Sequence, residues 1–218
     1  MRFDAKYTDK YGDEVISVNV SQNGLDLSTK IREVEFRGRG FMEMIPTCAK
    51  DDPVRNQFSL CDRSPHYEDC LQQFNLSYSI PLKVVVRDIP KAAILKCDIN
   101  IPACDAEEND DTMKLVLEFD QIRIESPGTD RGYEWELGNI QSKLGNSTYL
   151  KCCFNCRYSG YNPYSNSMMM GDLACFLNTP FRDDRDRGKG YKGWSGHVSN
   201  HVFVQEFHIC KHFKHKNQ

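Results

Sequence analysis

Alternation of apolar and polar side chains is the feature that most constrains how this chain folds. The pattern is clearest in five stretches, which are 16–20, 25–29, 74–80, 94–101 and 113–119. A period of two places every apolar side chain of a β-strand on one face, so each stretch predicts a strand with one buried face. In 94–101, for example, that face carries Leu95, Cys97 and Ile99, which predicts that the Cys97 thiol lies in the core.

Turn signals between these stretches favour antiparallel pairing. Asn23-Gly24 separates two alternating stretches, and this dipeptide is the strongest short hairpin signal. Pro81 interrupts the stretch 74–86 and predicts a strand edge or a bend there. The fold class is therefore mainly β, or α+β at most, with an antiparallel sandwich or an open barrel as the two expected arrangements.

Helical signal is scarce and falls late in the chain. Residues 135–145 and 171–177 are the two stretches that predict short helices. We expect one β-rich domain over residues 1–148 and a cysteine-bearing subdomain over 149–218 that packs on it as part of a single structural unit. This C-terminal part reads as irregular because Gly, Pro, Ser and Asn are frequent in it.

Composition indicates an ordinary soluble chain. Of its 218 residues, 39% are hydrophobic and 27% are charged. No stretch approaches the roughly 18 apolar residues that span a bilayer. The N-terminus is charged from Arg2 and lacks the apolar segment of a signal peptide, which predicts a cytoplasmic protein with no membrane partner. Because the cytosol keeps thiols reduced, the ten cysteines are not expected to form a disulfide framework.

The cysteines of the C-terminal part have the spacing of a metal site. The predicted ligands of a structural zinc ion are Cys153, Cys156, Cys175 and Cys210. The first two form a C-x2-C pair, which can direct two thiolates to one Zn²⁺. His208 and His212 flank the last cysteine and, on a strand, would share its face, so either could take its place. Cys152 would point away from Cys153 and is expected to pack in the interior.

Two other readings of these cysteines remain open. Free cysteines often pack as small apolar residues, and ten of them make close pairs frequent. A redox role needs the C-x2-C pair at a helix N-terminus, whereas Gly160 and Pro163 follow this pair almost at once. A second metal site formed by Cys61, His66 and Cys70 is the weaker possibility.

The same region carries a resemblance. Its elements are C-x2-C at 153–156, "YSGYNP" at 158–163, "GDLACF" at 171–176 and "QE" at 205–206 followed by Cys210 and Phe213. This pattern resembles an uncharacterised bacterial family of unknown function. The resemblance favours Cys210 over the neighbouring histidines as a ligand and implies no activity.

Charge is unevenly distributed along the chain. Residues 98–138 hold twelve acidic and three basic residues, whereas 182–218 hold eight basic and four acidic ones. The residues expected to contact a basic partner are Asp105, Glu107, Glu108, Asp110 and Asp111. Such a cluster accelerates association with a basic protein surface.

These features favour a protein-binding inhibitor, specifically a bacterial immunity protein that neutralises a cognate toxin domain. One alternative is an enzyme with a zinc site, whose activity the sequence does not identify. Another is a zinc-stabilised nucleic-acid-binding protein that uses Tyr191, Trp194 and Phe207, although a net charge of -3 disfavours nucleic acid. Four thiolates close a zinc site against water, so the metal is expected to be structural.

Overall fold

The fold is known from a computed structural model, which describes residues 1–21, 26–62, 68–103, 112–128, 132–161, 173–178 and 201–216. Nine strands precede the helix: β1 Arg2–Asp9, β2 Gly12–Val20, β3 Leu27–Ile31, β4 Val34–Gly38, β5 Ile45–Pro46, β6 Phe74–Val86, β7 Ile89–Ile101, β8 Thr112–Phe119 and β9 Ile122–Glu125. The remaining elements are α1 Tyr133–Leu144, β10 Thr148–Leu150, β11 Ser159–Tyr161, β12 Leu173–Cys175 and β13 Val202–Val204.

Ten of the strands form one open antiparallel sheet. Its order is β5-β4-β3-β2-β1-β6-β7-β8-β9, and β10 also pairs with β6. Strands β11, β12 and β13 form a second sheet of only three strands. The prediction of a mainly β fold is confirmed. The large sheet is not closed into a barrel.

The core lies on one face of the large sheet, as the alternation predicts. Strand β6 alternates buried and exposed residues over most of its length, and Cys97 on β7 is fully buried. Helix α1 lies near β8, β9 and β10 and contributes Tyr133, Leu137 and Ile140 to this core. The helix predicted at 135–145 is thus confirmed, beginning two residues earlier than expected.

Pro81 lies where β6 has a partner on only one side. Strand β1 pairs with residues 74–78 of β6, and β10 pairs with residues 84–86 on that same side of the strand order. Between them, Pro81 pairs with Ile94 of β7 alone. A residue without an N–H is tolerated at such a local edge, so the position predicted from the sequence is confirmed.

Two predictions in the C-terminal part are wrong. Residues 173–175 form strand β12 rather than a helix, because both of their edges pair with β11 and β13. Residues 208–212 are irregular and contain a turn, whereas the metal-site argument placed them on a strand. In both segments, tertiary pairing and not local propensity decides the conformation.

A buried ion pair fastens the β3–β4 turn to β1. Arg32 donates through both terminal nitrogens to the Asp9 carboxylate, at 2.8 and 2.5 Å. Tyr7 Oη and the Tyr11 backbone N–H each donate to the same carboxylate at 2.8 Å. The guanidinium carbon lies 5.6 to 5.7 Å from the ring centres of Tyr7, Tyr11 and Phe58. The side chain of Asp9 is 1% exposed, so its charge depends on these contacts.

Two glycines give a matched test of the close backbone packing between Gly38 and Glu43. A Cβ added at Gly38 would overlap the backbone carbonyl of Glu43, whereas one added at Gly138, in the middle of α1, meets nothing. We expect Gly38→Ala to destabilise the protein by about 1–3 kcal/mol through overpacking. Gly138→Ala is expected to stabilise it by about 0.5–1 kcal/mol, because alanine favours the helix. Urea unfolding of both variants measures these changes, and equal effects would contradict the described contact.

Candidate metal centre

The C-x2-C pair forms a turn with a fixed backbone. A short 3-10 helix spans Cys153–Asn155, and Cys156 donates its backbone N–H to the Cys153 carbonyl at 3.0 Å. Ser159 Oγ lies 2.5 Å from that carbonyl oxygen and 2.8 Å from the Cys156 carbonyl oxygen. The turn is therefore held by a buried hydroxyl as well as by its own backbone.

Strand pairing brings Cys175 next to this turn. Cys175 is the residue opposite Ser159 in the register of β11 and β12, and Ser159 follows Cys156 by three residues. The backbone N–H of Phe176 donates to the Tyr158 carbonyl at 2.7 Å. The sequence separation between Cys156 and Cys175 is thus closed by a regular antiparallel pair.

Backbone hydrogen bonds also bring the segment around Cys210 to the turn. Cys153 donates its N–H to the His208 carbonyl at 2.9 Å, and Phe154 donates to the Glu206 carbonyl at 2.8 Å. Further along, Cys156 and His215 form an antiparallel bridge. Cys210 lies between these contacts and is half-buried.

The thiols of the predicted ligands lie close enough for a charge on one of them to change the pKa of another. Burial is the largest cause that raises the pKa of the Cys153 thiol, and negative charge on Cys156, Cys175, Cys152 and Cys210 raises it further. Burial also raises the pKa of Cys175, and charge on Cys156 and Cys210 adds to this effect. Each additional thiolate is therefore costly here unless a cation compensates it. A divalent metal reverses this cost because it binds the deprotonated form.

Two of these sulfur atoms are close to backbone N–H groups two residues further on. His212 donates its N–H to Cys210 Sγ at 3.3 Å. The N–H of Leu177 lowers the pKa of Cys175, against the larger effect of burial. A hydrogen bond to the charged form favours that form, so the Leu177 N–H offsets part of the effect of burial on Cys175.

The donor chemistry fits zinc. Cys153, Cys156, Cys175 and Cys210 would hold the ion in the all-thiolate set of a closed structural site. Among the described residues, no three His, Cys, Asp or Glu side chains are already arranged as ligands of one metal ion. Zinc binding therefore stays a prediction.

The structure distinguishes Cys210 from His208 and His212, the two histidines that could take its place as a ligand. His208 and His212 are both exposed, whereas the Cys210 thiol packs against the core. Cys152 is 1% exposed and belongs to that core, as predicted. Burial raises its pKa to about 12, against the N–H groups of Phe154 and Asn155 that lower it.

Other predicted residues give a mixed result. Cys61 and Cys70 are buried neighbours joined by a backbone hydrogen bond of 2.9 Å, and His66 lies outside the described residues. The acidic residues predicted to contact a partner, Asp105, Glu107, Glu108, Asp110 and Asp111, also lie outside the described residues.

Sequence reasoning missed a buried carboxyl group beside the candidate centre. Glu206 is fully buried, and Tyr161 Oη donates to its Oε1 at 3.2 Å. Burial raises the pKa of Tyr161, and charge on Glu206 and Glu134 raises it further. The backbone carbonyl of Glu206 also accepts a hydrogen bond from the N–H of Phe154, and this bond joins the last segment to the cysteine turn. The "QE" pair in the resemblance was the only signal of this residue.

The fold and the cysteine turn define a mainly antiparallel β protein with a cysteine-bearing C-terminal part. A family model described as Family of unknown function (DUF6304) matches residues 1–159, and the chain belongs to that family. The match includes Cys153 and Cys156, while Cys175 and Cys210 lie beyond it. No curated protein and no solved structure matches the chain.

No helix among the described residues has the length and apolar character needed to cross a membrane.

Proposed function

We propose that this protein is an immunity protein that binds and neutralises a cognate toxin domain in the cytosol of its producer, with zinc in a structural role. The observation that carries this proposal is the pairing of the two strands between which the acidic segment 105–111 runs in the sequence. Asn100 and Thr112, which flank it, are cross-strand partners in β7 and β8. The segment therefore joins the paired ends of two strands of the large sheet.

The strands on which this segment is mounted are firmly held. Strand β7 pairs with β6 along its full length from Ile89 to Ile101, and with β8 over residues 94–100. Its inward side chains Leu95, Cys97 and Ile99 are buried. A fixed attachment lowers the ordering cost of binding, which supports a role in protein recognition.

The charge of the segment indicates the kind of partner. Five of the seven residues from 105 to 111 are acidic and none is basic. An exposed cluster of one sign steers a partner of the opposite sign and raises the association rate. The proposed partner surface is therefore basic, as expected for a toxin domain that acts on nucleic acid or nucleotides.

Charge neutralisation tests this proposal. One variant converts the five acidic residues of the segment to Asn or Gln. The control makes the same number of changes of each type at the exposed positions Asp26, Glu33, Asp51, Glu68 and Asp120. We expect the first variant to lose about tenfold or more in association rate with a cognate toxin domain at low salt.

The measurements are surface binding kinetics and survival of cells that express the toxin. The control variant should bind and protect like the unchanged protein, and the difference between variants should shrink at high salt. Equal protection by both variants, or no binding to any toxin domain encoded next to this gene, would overturn the proposal.

A further inference from the structure

Two segments that are distant in sequence form one surface around the cysteine turn. We name residues 149–161 and 207–216 the basic cap. Arg157 donates its backbone N–H to the Lys214 carbonyl at 2.8 Å, and Lys216 donates to the Asn155 carbonyl at 3.0 Å. These bonds fix the two segments side by side, so their side chains form a common surface.

The charge of the basic cap is entirely positive. Its basic residues are Lys151, Arg157, Lys211, Lys214 and Lys216, and it contains no Asp or Glu. Lys211 and Lys214 are exposed. Within the described part of the chain, neither of them forms an ion pair with an acidic side chain. Their charges are therefore available to an anionic partner.

Aromatic rings are interleaved with these cations. The Tyr158 ring lies 5.9 Å from the Arg157 guanidinium carbon and 6.0 Å from Lys214 Nζ. Tyr149 stacks on His215 with ring centres 4.0 Å apart and an interplanar angle of 24°. Tyr149 and Tyr158 are both half-buried, so part of each ring reaches solvent.

The basic cap and the residue to which the acidic segment is attached lie at opposite ends of β6. The cap begins within β10, which pairs with Val84–Val86 at one end of β6. The acidic segment comes after Ile101 in the sequence, and Ile101 pairs with Phe74 at the other end of β6. A strand of 13 residues is about 40 Å long at 3.3 Å per residue. The net charge of -3 thus combines a basic surface at one end of β6 with an acidic segment that is attached at the other end.

We propose that the basic cap binds single-stranded nucleic acid. Lysine and arginine would contact phosphates, and bases would stack on Tyr149 and Tyr158. Bases in a duplex are not available for such stacking, which favours a single strand. Phe207, considered from the sequence as a nucleic-acid contact, is 2% exposed and packs on Tyr133, so it takes no part. This inference is independent of toxin binding, which is proposed for the opposite end.

Fluorescence anisotropy with labelled oligo(U) RNA and oligo(dT), each of about 16 nucleotides, tests the inference on the full chain. The cap variant is Arg157→Gln, Lys211→Gln and Lys214→Gln. Its control is Arg37→Gln, Lys30→Gln and Lys50→Gln, three exposed positions on other elements. We expect the cap variant to bind at least about tenfold more weakly and to reduce the slope of log K against log salt by about 2. The control should bind like the unchanged protein.

Tyr158→Leu separates stacking from charge. This variant should weaken binding by roughly tenfold while the salt slope stays unchanged, because no phosphate contact is lost. Circular dichroism checks that both cap variants remain folded. The inference is overturned by absence of binding at low salt, by equal losses in cap and control variants, by preference for duplex, or by equal competition from polyglutamate, which would indicate an acidic protein partner.

Discussion

Substituting Cys153 by serine is expected to abolish zinc binding and to unfold the C-terminal part of the protein. Protein purified without chelator should carry one zinc ion per chain. Structural zinc contributes apparent binding free energies of about 10–16 kcal/mol in small zinc domains, which is comparable to the whole stability of a typical domain. The short three-stranded sheet therefore has little to hold it once the ion is lost.

Metal analysis and limited proteolysis measure this effect. In Cys153→Ser, and likewise in Cys210→Ser, zinc content should fall to near zero and cleavage should appear after residue 148. Cys48→Ser is the matched control, because Cys48 is a half-buried cysteine outside the candidate centre. It should keep its zinc.

Cys152→Ala distinguishes a ligand from a packed neighbour. This residue lies beside Cys153 in sequence but belongs to the apolar core. We expect its variant to lose stability through a core cavity while retaining zinc. The assignment of four ligands fails if the unchanged protein contains no zinc, or if zinc survives in Cys153→Ser and departs in Cys152→Ala.

Substitution of Asp9 by asparagine is expected to cost about 2–4 kcal/mol of unfolding free energy. The change leaves the Arg32 guanidinium, whose side chain is 19% exposed, without its charged partner. Breaking one side of a mostly buried pair costs more than the pair itself contributes, because the remaining charge stays desolvated. Asp13→Asn removes an ion pair with Lys6 that is more than half exposed, so it should cost much less than Asp9→Asn.

The same pair predicts a dependence on pH. Burial alone would raise the pKa of the Asp9 carboxyl, but hydrogen bonds from Arg32, Tyr7 and the Tyr11 backbone outweigh it and lower the pKa. The unfolded value is about 3.9, so the contribution of Asp9 is fully present well above that pH. It is lost as pH falls through the lower, folded value.

Urea unfolding at several pH values checks this sign. The stability difference between the unchanged protein and Asp9→Asn should be constant from neutral pH to about pH 5 and should shrink below about pH 4. A difference that grows on acidification would show that the carboxylate is not stabilised by Arg32.

The sequence predicts the large sheet well and the C-terminal part poorly, for a physical reason. In 94–101 and 113–119, burial of one strand face requires an apolar residue at every second position, so the alternation is visible in the sequence. Residues 173–175 show no such alternation, because three residues are too few to display a period of two. They form a strand because they pair with β11 and β13. Local propensity then predicts a helix where pairing produces a strand.

The candidate centre shows the same limit at the level of single residues. Spacing identifies Cys153 and Cys156, because two thiols in one turn are close in space wherever the rest of the chain lies. Nothing in the spacing shows that the Glu206 carbonyl meets the same turn, or that Arg32 reaches Asp9 from another hairpin. Such contacts depend on strand order, which local pattern does not encode.

The strand order has a consequence for the folding of the protein. Strands β1 to β5 and strands β6 to β9 are two meanders in which each strand pairs with its neighbour in sequence. One non-local pairing, between β1 and β6, joins them. Local hairpins close quickly, whereas joining distant segments pays a larger loop-closure entropy. The pairing of β1 with β6 is therefore the step that pays the largest loop-closure entropy in joining the two meanders.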